Sequence, residues 1–450
     1  MGGKNMKQQQ SFLKTVCALA IPVALQSMFQ ASFSIVDQIM IGLLGSVSVA
    51  GVGLAGKFSS IYTFIVSSIG AVAGIMISQY MGQKNQREIR RSFFMNLLFG
   101  IAIAGIFTVL CALFPRQVMN LYTTDDDTMA AAASYLSIIA WTFLPMAFDT
   151  MLATMFRCME KTSLPLYASI VAAVLNTGLN YVFIFGKFGC PAMGADGAAA
   201  ATLISRIVGL LMMLLLFLPF RSQLARGGDR TSTRFNWRQY GTILLPILIC
   251  EVAWCLGENV YAAIYGHMGT DASAAMTLIN PVQGLVIGAL CGLSQAAGVI
   301  IGKKLGNGEY DDAYVSSKKL IAYGFVGSAV LSVLVVLTSG YYVEIYQVEA
   351  SVKALTQQIL IAYAIVAPFK VQNMIVGGGI LRSGGKTTYV MAIDLIGTWV
   401  FGVPLGLLTA FVFELPIPYV YFILSLEECI RYGISLVIFR KKRWMQSLDA

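Results

Sequence analysis

Four polar residues that interrupt long apolar stretches of the sequence have the chemistry of a cation site: Asp37, Asn176, Asn180 and Thr202. The two asparagines are four positions apart, so they share one face of a helix. Asp37 lies roughly 11 Å below the end of its apolar stretch, and the other three lie at a similar depth. A carboxylate and amide oxygens suit a hard cation such as Na⁺, and a desolvated aspartate can carry a proton instead. The alternative is a structural polar cluster that holds three helices together.

Further candidates lie in the apolar stretches of the second half of the chain. Glu251 and Glu258 are seven residues apart and therefore share a helix face. Lys370 lies at a depth similar to that of Glu251, and Gln372 and Asn373 lie beside it. Because opposite charges inside a membrane usually pair, we expect Lys370 to contact Glu251. These residues either line a substrate cleft or lock the helices together.

The positions of the charges leave one further ion pair open and favour another. Lys57 lies at a depth similar to that of Asp37, and a pair between them would lower the proton affinity of the aspartate. Arg431 follows Glu427 and Glu428 at helical spacing, which favours a local pair.

The composition indicates a membrane protein. Hydrophobic residues make up 57% of the 450 residues and charged residues only 12%, about half the share in soluble proteins. This excess fits a polytopic α-helical membrane protein and excludes soluble enzymes and disulfide scaffolds. One histidine and no CxxC pair predict no catalytic set, no cofactor and no metal beyond Na⁺ at Asp37. The net charge of +9 lies in short clusters between apolar runs, which indicates contact with the lipid bilayer and not with nucleic acid.

Twelve stretches meet the length of about 20 apolar residues that a spanning helix needs. Lysine and arginine concentrate in alternate loops, which predicts a multi-pass protein of the cytoplasmic (inner) membrane with both termini in the cytoplasm. The predicted spans are Phe12–Leu44, Val47–Tyr80, Ser92–Phe114, Met129–Phe156, Ser163–Phe185, Gly194–Phe217, Gln239–Gly266, Ala272–Ile301, Ala313–Ser339, Val352–Leu381, Thr388–Phe413 and Leu415–Phe439.

The chain matches itself at an offset of 224 residues, so that Ala73, Gly74, Ile77 and Gly82 align with Ala297, Gly298, Ile301 and Gly306. A unit of six spans keeps its orientation when repeated, which predicts a pseudo-two-fold axis along the membrane normal. We therefore predict an all-α protein of twelve transmembrane helices in two pseudo-symmetric six-helix bundles around a central cleft. The N-terminal bundle covers residues 1–220, a cytoplasmic linker covers 221–238, and the C-terminal bundle covers 239–450.

Several motifs resemble those of the multidrug and toxic compound extrusion (MATE) transporters. They are VDQIMIGLLGSVSVAGVGLAG at Val36–Gly56, QYMGQKNQREIRR at Gln79–Arg91, its echo KKLGNGEYDDA at Lys303–Ala313, and LRSGGKT at Leu381–Thr387. The resemblance covers nearly the whole chain, and the order and spacing of the motifs are more specific than any one of them. It implies cation-coupled antiport of drugs or organic cations by a V-shaped pair of bundles.

The resemblance also implies roles for individual residues. Asp37 matches the first-helix aspartate of the family, Asn176 and Asn180 its fifth-helix polar pair, and Thr202 its sixth-helix hydroxyl. These are the cation-site positions of the N-terminal lobe.

The second half of the chain departs from one subgroup of the family. Glu251, which follows Pro246, matches the seventh-helix glutamate of that subgroup. The subgroup also has an aspartate eleven residues before the arginine of its LRG-type motif, and here that position is Val371, beside Lys370. This departure favours cation coupling through the N-terminal lobe.

The sequence thus predicts a monomeric Na⁺- or H⁺-coupled efflux antiporter for amphiphilic, often cationic, small molecules, working by alternating access. The alternative is a lipid-linked glycan flippase of the same wider superfamily, for which a strongly cationic cavity is typical. A major-facilitator porter is disfavoured by the loop GQKNQREIRR after the second span, and a receptor or scaffold by the internal repeat.

Overall fold

The protein is all-helical over the residues described by the computed structural model, which are 2–222, 236–346 and 348–448. Each regular element in these ranges is an α-, 3₁₀- or π-helix. The prediction of an all-α membrane fold is confirmed. Most of the predicted linker, residues 223–235, lies outside the described residues.

Two of the helices before the linker are far longer than a bilayer requires. At 1.5 Å per residue, the 41 residues of α1 and the 37 residues of α2 extend about 55–60 Å, almost twice the ~30 Å hydrocarbon core. The α-helices of this part are α1 (Gly2–Gly42), α2 (Ser46–Gly82), α3 (Gln86–Leu113), α4 (Pro115–Met119), α5 (Asp126–Ile139), α6 (Phe143–Cys158), α7 (Ser163–Phe185) and α8 (Gly194–Phe217).

Local sequence determines where several of these helices begin and end. The side chain of Asn85 accepts a hydrogen bond from the Glu88 amide at 3.2 Å and caps α3. Asp125 caps α5 in the same way, through the Thr128 amide at 3.0 Å, and this hydrogen bond lowers the pKa of the exposed Asp125 carboxyl.

The helices after the linker are interrupted three times by π-helical turns, at Met374–Leu381, Ile396–Gly402 and Leu408–Val412. Such turns are rare and are concentrated at functional sites. The α-helices are α9 (Trp237–His267), α10 (Thr270–Gly306), α11 (Tyr310–Glu344), α12 (Ala350–Asn373), α13 (Thr387–Leu395), α14 (Val403–Leu407), α15 (Ile417–Ser425) and α16 (Glu427–Arg440).

Eleven helices of the described ranges are long and apolar enough to cross a membrane. These eleven helices agree with the first eleven predicted spans to within six residues at each end. The twelfth predicted span, Leu415–Phe439, is not one helix. It consists of α15 and α16, with 9 and 14 residues, which meet at Leu426. The turn tightens there, because the Leu426 amide donates to the Ile423 carbonyl three residues back.

The described residues form two compact units, which we call the N-terminal and C-terminal units. The N-terminal unit contains residues 25–77 and 85–222, and the other described residues form the C-terminal unit. This division differs from the expected boundary at residue 220, because residues 2–24 of α1 and most of 78–84 at the end of α2 group with the later helices. Helices of this length have room to pack in both units.

Each unit has its own core. In the N-terminal unit, the rings of Tyr62 and Phe143 lie 4.3 Å apart, and the Tyr62 hydroxyl donates to the Phe143 carbonyl at 2.5 Å. In the C-terminal unit, Trp444 is fully buried, and its ring stacks near that of Phe439 at 5.8 Å. The hydrogen bond of the Tyr62 hydroxyl compensates for its burial in an apolar core.

The ends of α2 and α10 cross closely inside the C-terminal unit. A Cβ atom at Gly82 would overlap the carbonyl oxygen of Lys303, and a Cβ atom at Gly306 would overlap that of Gln79. With the offset of 224, Gly82 corresponds to Gly306 and Gln79 to Lys303, so each contact is the image of the other. Small residues let helix backbones approach in this way. We call this contact the reciprocal crossing.

Hydrogen bonds join the C-terminal segment that contains Leu448 to the end of α2. The fully buried Gln79 donates to the Ser383 carbonyl at 2.5 Å and accepts from the Leu448 amide at 2.6 Å. Gln83 donates to the Leu448 carbonyl at 2.8 Å. The QYMGQ motif therefore supplies hydrogen-bonding side chains that hold backbone groups from two other parts of the same unit.

Candidate functional site

The structure brings the four predicted cation-site residues together in the N-terminal unit. Helix α1 supplies Asp37, α7 supplies Asn176 and Asn180, and α8 supplies Thr202. Asn180 Nδ2 donates to Asp37 Oδ1 at 2.6 Å. With its amide oxygen toward Thr202 Oγ1 at 3.2 Å, Asn176 places its nitrogen 3.1 and 3.0 Å from the two oxygens of Asp37. The expected i, i+4 face is formed.

This cluster offers oxygen atoms that a cation could use. Asn180 Oδ1 is buried and has no hydrogen-bond partner within the described residues, which is costly for a polar atom in an apolar setting. Asp37 Oδ2 and Thr202 Oγ1 lie in the same cluster. The donor set therefore fits a hard cation such as Na⁺ or a proton on Asp37. Two asparagine amides that converge on one carboxylate also hold its geometry fixed.

A cavity of about 510 Å³ opens beside Asp37 within the N-terminal unit. Its walls include Thr63, Asn176 and Thr202, together with two charged residues, Arg206 and Asp149. Asp149 was not singled out from the sequence alone. Asp37 is therefore not the only carboxylate of this polar layer. The signal was present in the sequence, since Asp149 is a single acid inside the predicted span Met129–Phe156.

Lys57 does not form the ion pair with Asp37 that the sequence left open. Its side chain is exposed, and among the described residues no ion pair of 4 Å or less joins it to a carboxylate. Depth along a helix was the basis of that expectation, but depth does not determine the direction in which a side chain points. Asp37 receives its hydrogen bonds from asparagine amides instead.

In the C-terminal unit, Glu251 pairs with a residue other than the expected Lys370. Arg382 Nη1 lies 3.8 Å from Glu251 Oε1, and Arg382 Nη2 lies 3.5 Å from Cys250 Sγ. The arginine belongs to the LRSGGKT motif, immediately after a π-helical segment. Its longer, forked side chain reaches two groups of α9 at once. The predicted Lys370–Glu251 contact is therefore wrong.

Arg431 lies at the centre of a second charged group. It contacts Glu428 at 3.5 Å, as the helical spacing predicts, and also Asp394 of α13. Asn373 Nδ2 donates to Glu428 Oε2 at 2.7 Å. A side chain at position 397 would overlap Arg431, so Gly397 in the π-helical turn makes room for the guanidinium.

Two cavities border this group, and Lys370 and Glu428 line both of them. The larger, about 380 Å³, is also lined by Glu251, Arg382 and Arg431. The smaller, about 270 Å³, is lined by Glu258 among others.

Gln372 faces neither of these two cavities. It is fully buried, and its Nε2 donates to the Ile321 carbonyl of α11 at 3.0 Å. Gln372 therefore makes a packing contact. The sequence suggested instead that it belongs to a substrate cleft or a charge network.

Comparison with known proteins identifies the family. A family model described as MatE matches residues 22–182 and 246–408. The multidrug resistance protein MdtK of Yersinia enterocolitica is 24% identical over 403 residues, which are 88% of this chain and 87% of that protein. The probable multidrug resistance protein NorM of Rhizobium meliloti is 26% identical over 413 residues, 89% of this chain and 86% of that protein.

A solved structure has the same fold. A mutant of the Vibrio cholerae MATE transporter VcmN superimposes with a TM-score of 0.87 and 18% sequence identity, covering 97% of this chain and 99% of that one. The match covers nearly all of the present chain.

Proposed function

Because this chain belongs to the MATE family, we propose that it exports amphiphilic, often cationic, small molecules across the inner membrane in exchange for Na⁺ or H⁺. The observation that carries the proposal is the position of Asp37, which is held by asparagine amides and borders a cavity of about 510 Å³. A carboxylate there can take up a cation or a proton in one state of the transporter and release it in another, as alternating access requires.

Coupling takes place at Asp37 rather than in the C-terminal unit. Glu251, the acid that would serve there, is 3.8 Å from Arg382 and so already has a cationic neighbour. Asp37 has no cationic partner within 4 Å among the described residues. A carboxylate without a fixed counter-charge gains more from binding a mobile cation than one that is already paired.

The charges in the N-terminal cavity support export of cations over transport of anionic lipid-linked glycans. Two carboxylates, Asp37 and Asp149, line it, against one guanidinium, Arg206. A flippase for phosphorylated glycolipids needs an excess of positive charge in its cavity. The same proposal includes a monomer with both termini in the cytoplasm, a cytoplasmic linker at 221–238 and no cofactor.

The experiment that tests this function is efflux from proteoliposomes loaded with a fluorescent organic cation. A Na⁺ gradient and a pH gradient are imposed in turn, each with the other absent. We expect one of them to drive export against the concentration gradient of the dye. Equal dye movement with and without either gradient would show that the protein does not couple a cation to export.

A further inference from the structure

The smaller cavity of the C-terminal unit is acidic and aromatic. Three carboxylates line its volume of about 270 Å³, those of Glu258, Glu427 and Glu428, and Lys370 is the cation among its lining residues. The lining also includes four tyrosines, Tyr261, Tyr265, Tyr363 and Tyr421. Carboxylates combined with several aromatic side chains are the usual surroundings of a bound organic ammonium group.

Glu427 has no cation in direct contact among the described residues, although Lys370 and Arg431 act on its carboxylate from a greater distance. Its side chain is only 6% exposed, and the Tyr261 hydroxyl donates to its Oε2 at 2.8 Å. Within the described ranges, no lysine, arginine or histidine nitrogen lies within 4 Å of it. The adjacent Glu428 differs, because Arg431 and Asn373 both contact it, at 3.5 and 2.7 Å. A buried carboxylate without a contacting cation is unfavourable, so a ligand cation that contacts Glu427 directly would be stabilised here.

A glycine makes room for the carboxylate of Glu427. A Cβ atom at position 402 would overlap both the Tyr261 hydroxyl and the Glu427 carboxylate. Gly402 is the last residue of the π-helical turn Ile396–Gly402, and such turns occur mostly at functional sites. The tyrosine and the glutamate can meet because this residue has no side chain.

We propose that this cavity binds the ammonium group of an organic cation, with Glu427 and Glu258 supplying the negative charge. Lys370, whose side chain borders the same space and forms no ion pair within the described residues, acts as a tethered cation that the ligand displaces. Tyrosine side chains suit an organic ammonium better than Na⁺, which needs a shell of several oxygen ligands. This inference rests on the proposed function in one respect, that organic cations are the exported compounds.

The test is binding of tetraethylammonium to purified protein in detergent, measured by calorimetry in Na⁺-free buffer. Glu427→Gln keeps the shape and can still accept from Tyr261, and we expect it to weaken binding by about tenfold or more, as loss of a buried charge partner does. Glu414→Gln changes an exposed carboxylate of the same unit and should bind like the wild type. Lys370→Met should bind severalfold more tightly, because the competing cation is gone.

Each possible result of this experiment either supports or overturns the proposed binding site. Unchanged binding by a folded Glu427→Gln protein, checked by its thermal unfolding, would overturn the site. Weaker binding by Lys370→Met would overturn the role of the lysine as competitor. If Na⁺ binds and only its binding depends on Glu427, the cavity is an ion site and the organic-cation proposal fails. No gradient enters this experiment, so tetraethylammonium binding that depends on Glu427 would stand even if the vesicle assay showed no coupled export.

Discussion

The carboxylates of this chain differ in how their charge is compensated. Asp394 contacts Arg431 and Glu251 lies near Arg382, whereas Asp37 is held by neutral asparagine amides. Amide donors stabilise an ionised carboxylate but leave its net charge in place. Asp37 can therefore exchange a cation without first breaking an ion pair, which is why we propose it as the coupling residue.

Asp37→Asn should abolish gradient-driven efflux while leaving the protein folded, because the amide keeps the size of the side chain but not its charge. The measurement is dye efflux from proteoliposomes under the gradient that drives the wild type. Asp127→Asn, in the exposed first turn of α5, is the matched control and should pump normally. Normal pumping by Asp37→Asn would place coupling elsewhere.

The contact between Arg382 and Glu251 can be measured by a double-mutant cycle. Arg382→Met and Glu251→Gln should each lower the free energy of unfolding by about 1–3 kcal/mol, less than for a fully buried pair, and the double variant should recover part of the loss. Thermal unfolding in detergent gives these values. The same cycle with Lys370 in place of Arg382 should be additive, and coupling there would contradict the arrangement described above.

Among the elements, α2 shows how a long helix distributes its glycines. Gly53 has no other atom within 4 Å of the position of its missing Cβ, whereas Gly82 meets the backbone of α10 there. The two glycines occupy the same helix but differ in what a methyl group would encounter. Only the second is required for packing.

Gly82→Ala should destabilise the protein by about 1–3 kcal/mol, since the backbone of α10 must move to admit the methyl group. Gly53→Ala should be neutral or stabilising by up to about 1 kcal/mol, because alanine favours the helix and finds open space. Thermal unfolding of both variants, with Gly306→Ala as a second test of the crossing, provides the comparison. Equal stability of the two alanine variants would mean that the crossing is not tightly packed.

At the scale of the whole molecule, the two compact units do not coincide with the two halves of the sequence. Residues 2–24 and 78–84 belong to the C-terminal unit although they precede the linker by more than a hundred residues. The C-terminal half alone therefore lacks segments that its unit contains. Gln79, for example, would no longer supply its hydrogen bonds to Ser383 and Leu448.

We therefore expect a fragment of residues 223–450 expressed alone to aggregate in detergent, whereas co-expression with residues 1–222 should yield a stable complex. Size-exclusion chromatography of the purified material distinguishes these outcomes, with the intact chain as the reference for the elution volume. A monodisperse fragment 223–450 would show that the first two helices are dispensable for its folding.

The sequence predicted eleven of the spanning helices and the grouping of Asp37, Asn176, Asn180 and Thr202, because hydrophobic length and i, i+4 spacing report directly on helix position and helix face. It did not predict that Glu251 meets Arg382. By depth along their helices, both Lys370 and Arg382 could reach Glu251. Which of them does so depends on how the π-helical turns rotate the residues that follow them about the helix axis. That rotation has no periodic signature in the sequence.

The reciprocal crossing has a consequence for the history of the chain. Where residue i of one copy touches residue j of another, and j of the first touches i of the second, the contact has the form of an isologous interface between identical subunits. Gly82 and Lys303, with Gly306 and Gln79, keep that form inside one polypeptide. In an ancestral homodimer of a single half, one mutation would have altered both contacts together. Within one polypeptide each contact can change separately, so the two halves can acquire different charges, as the correspondence of Asp37 with Tyr261 at the offset of 224 illustrates.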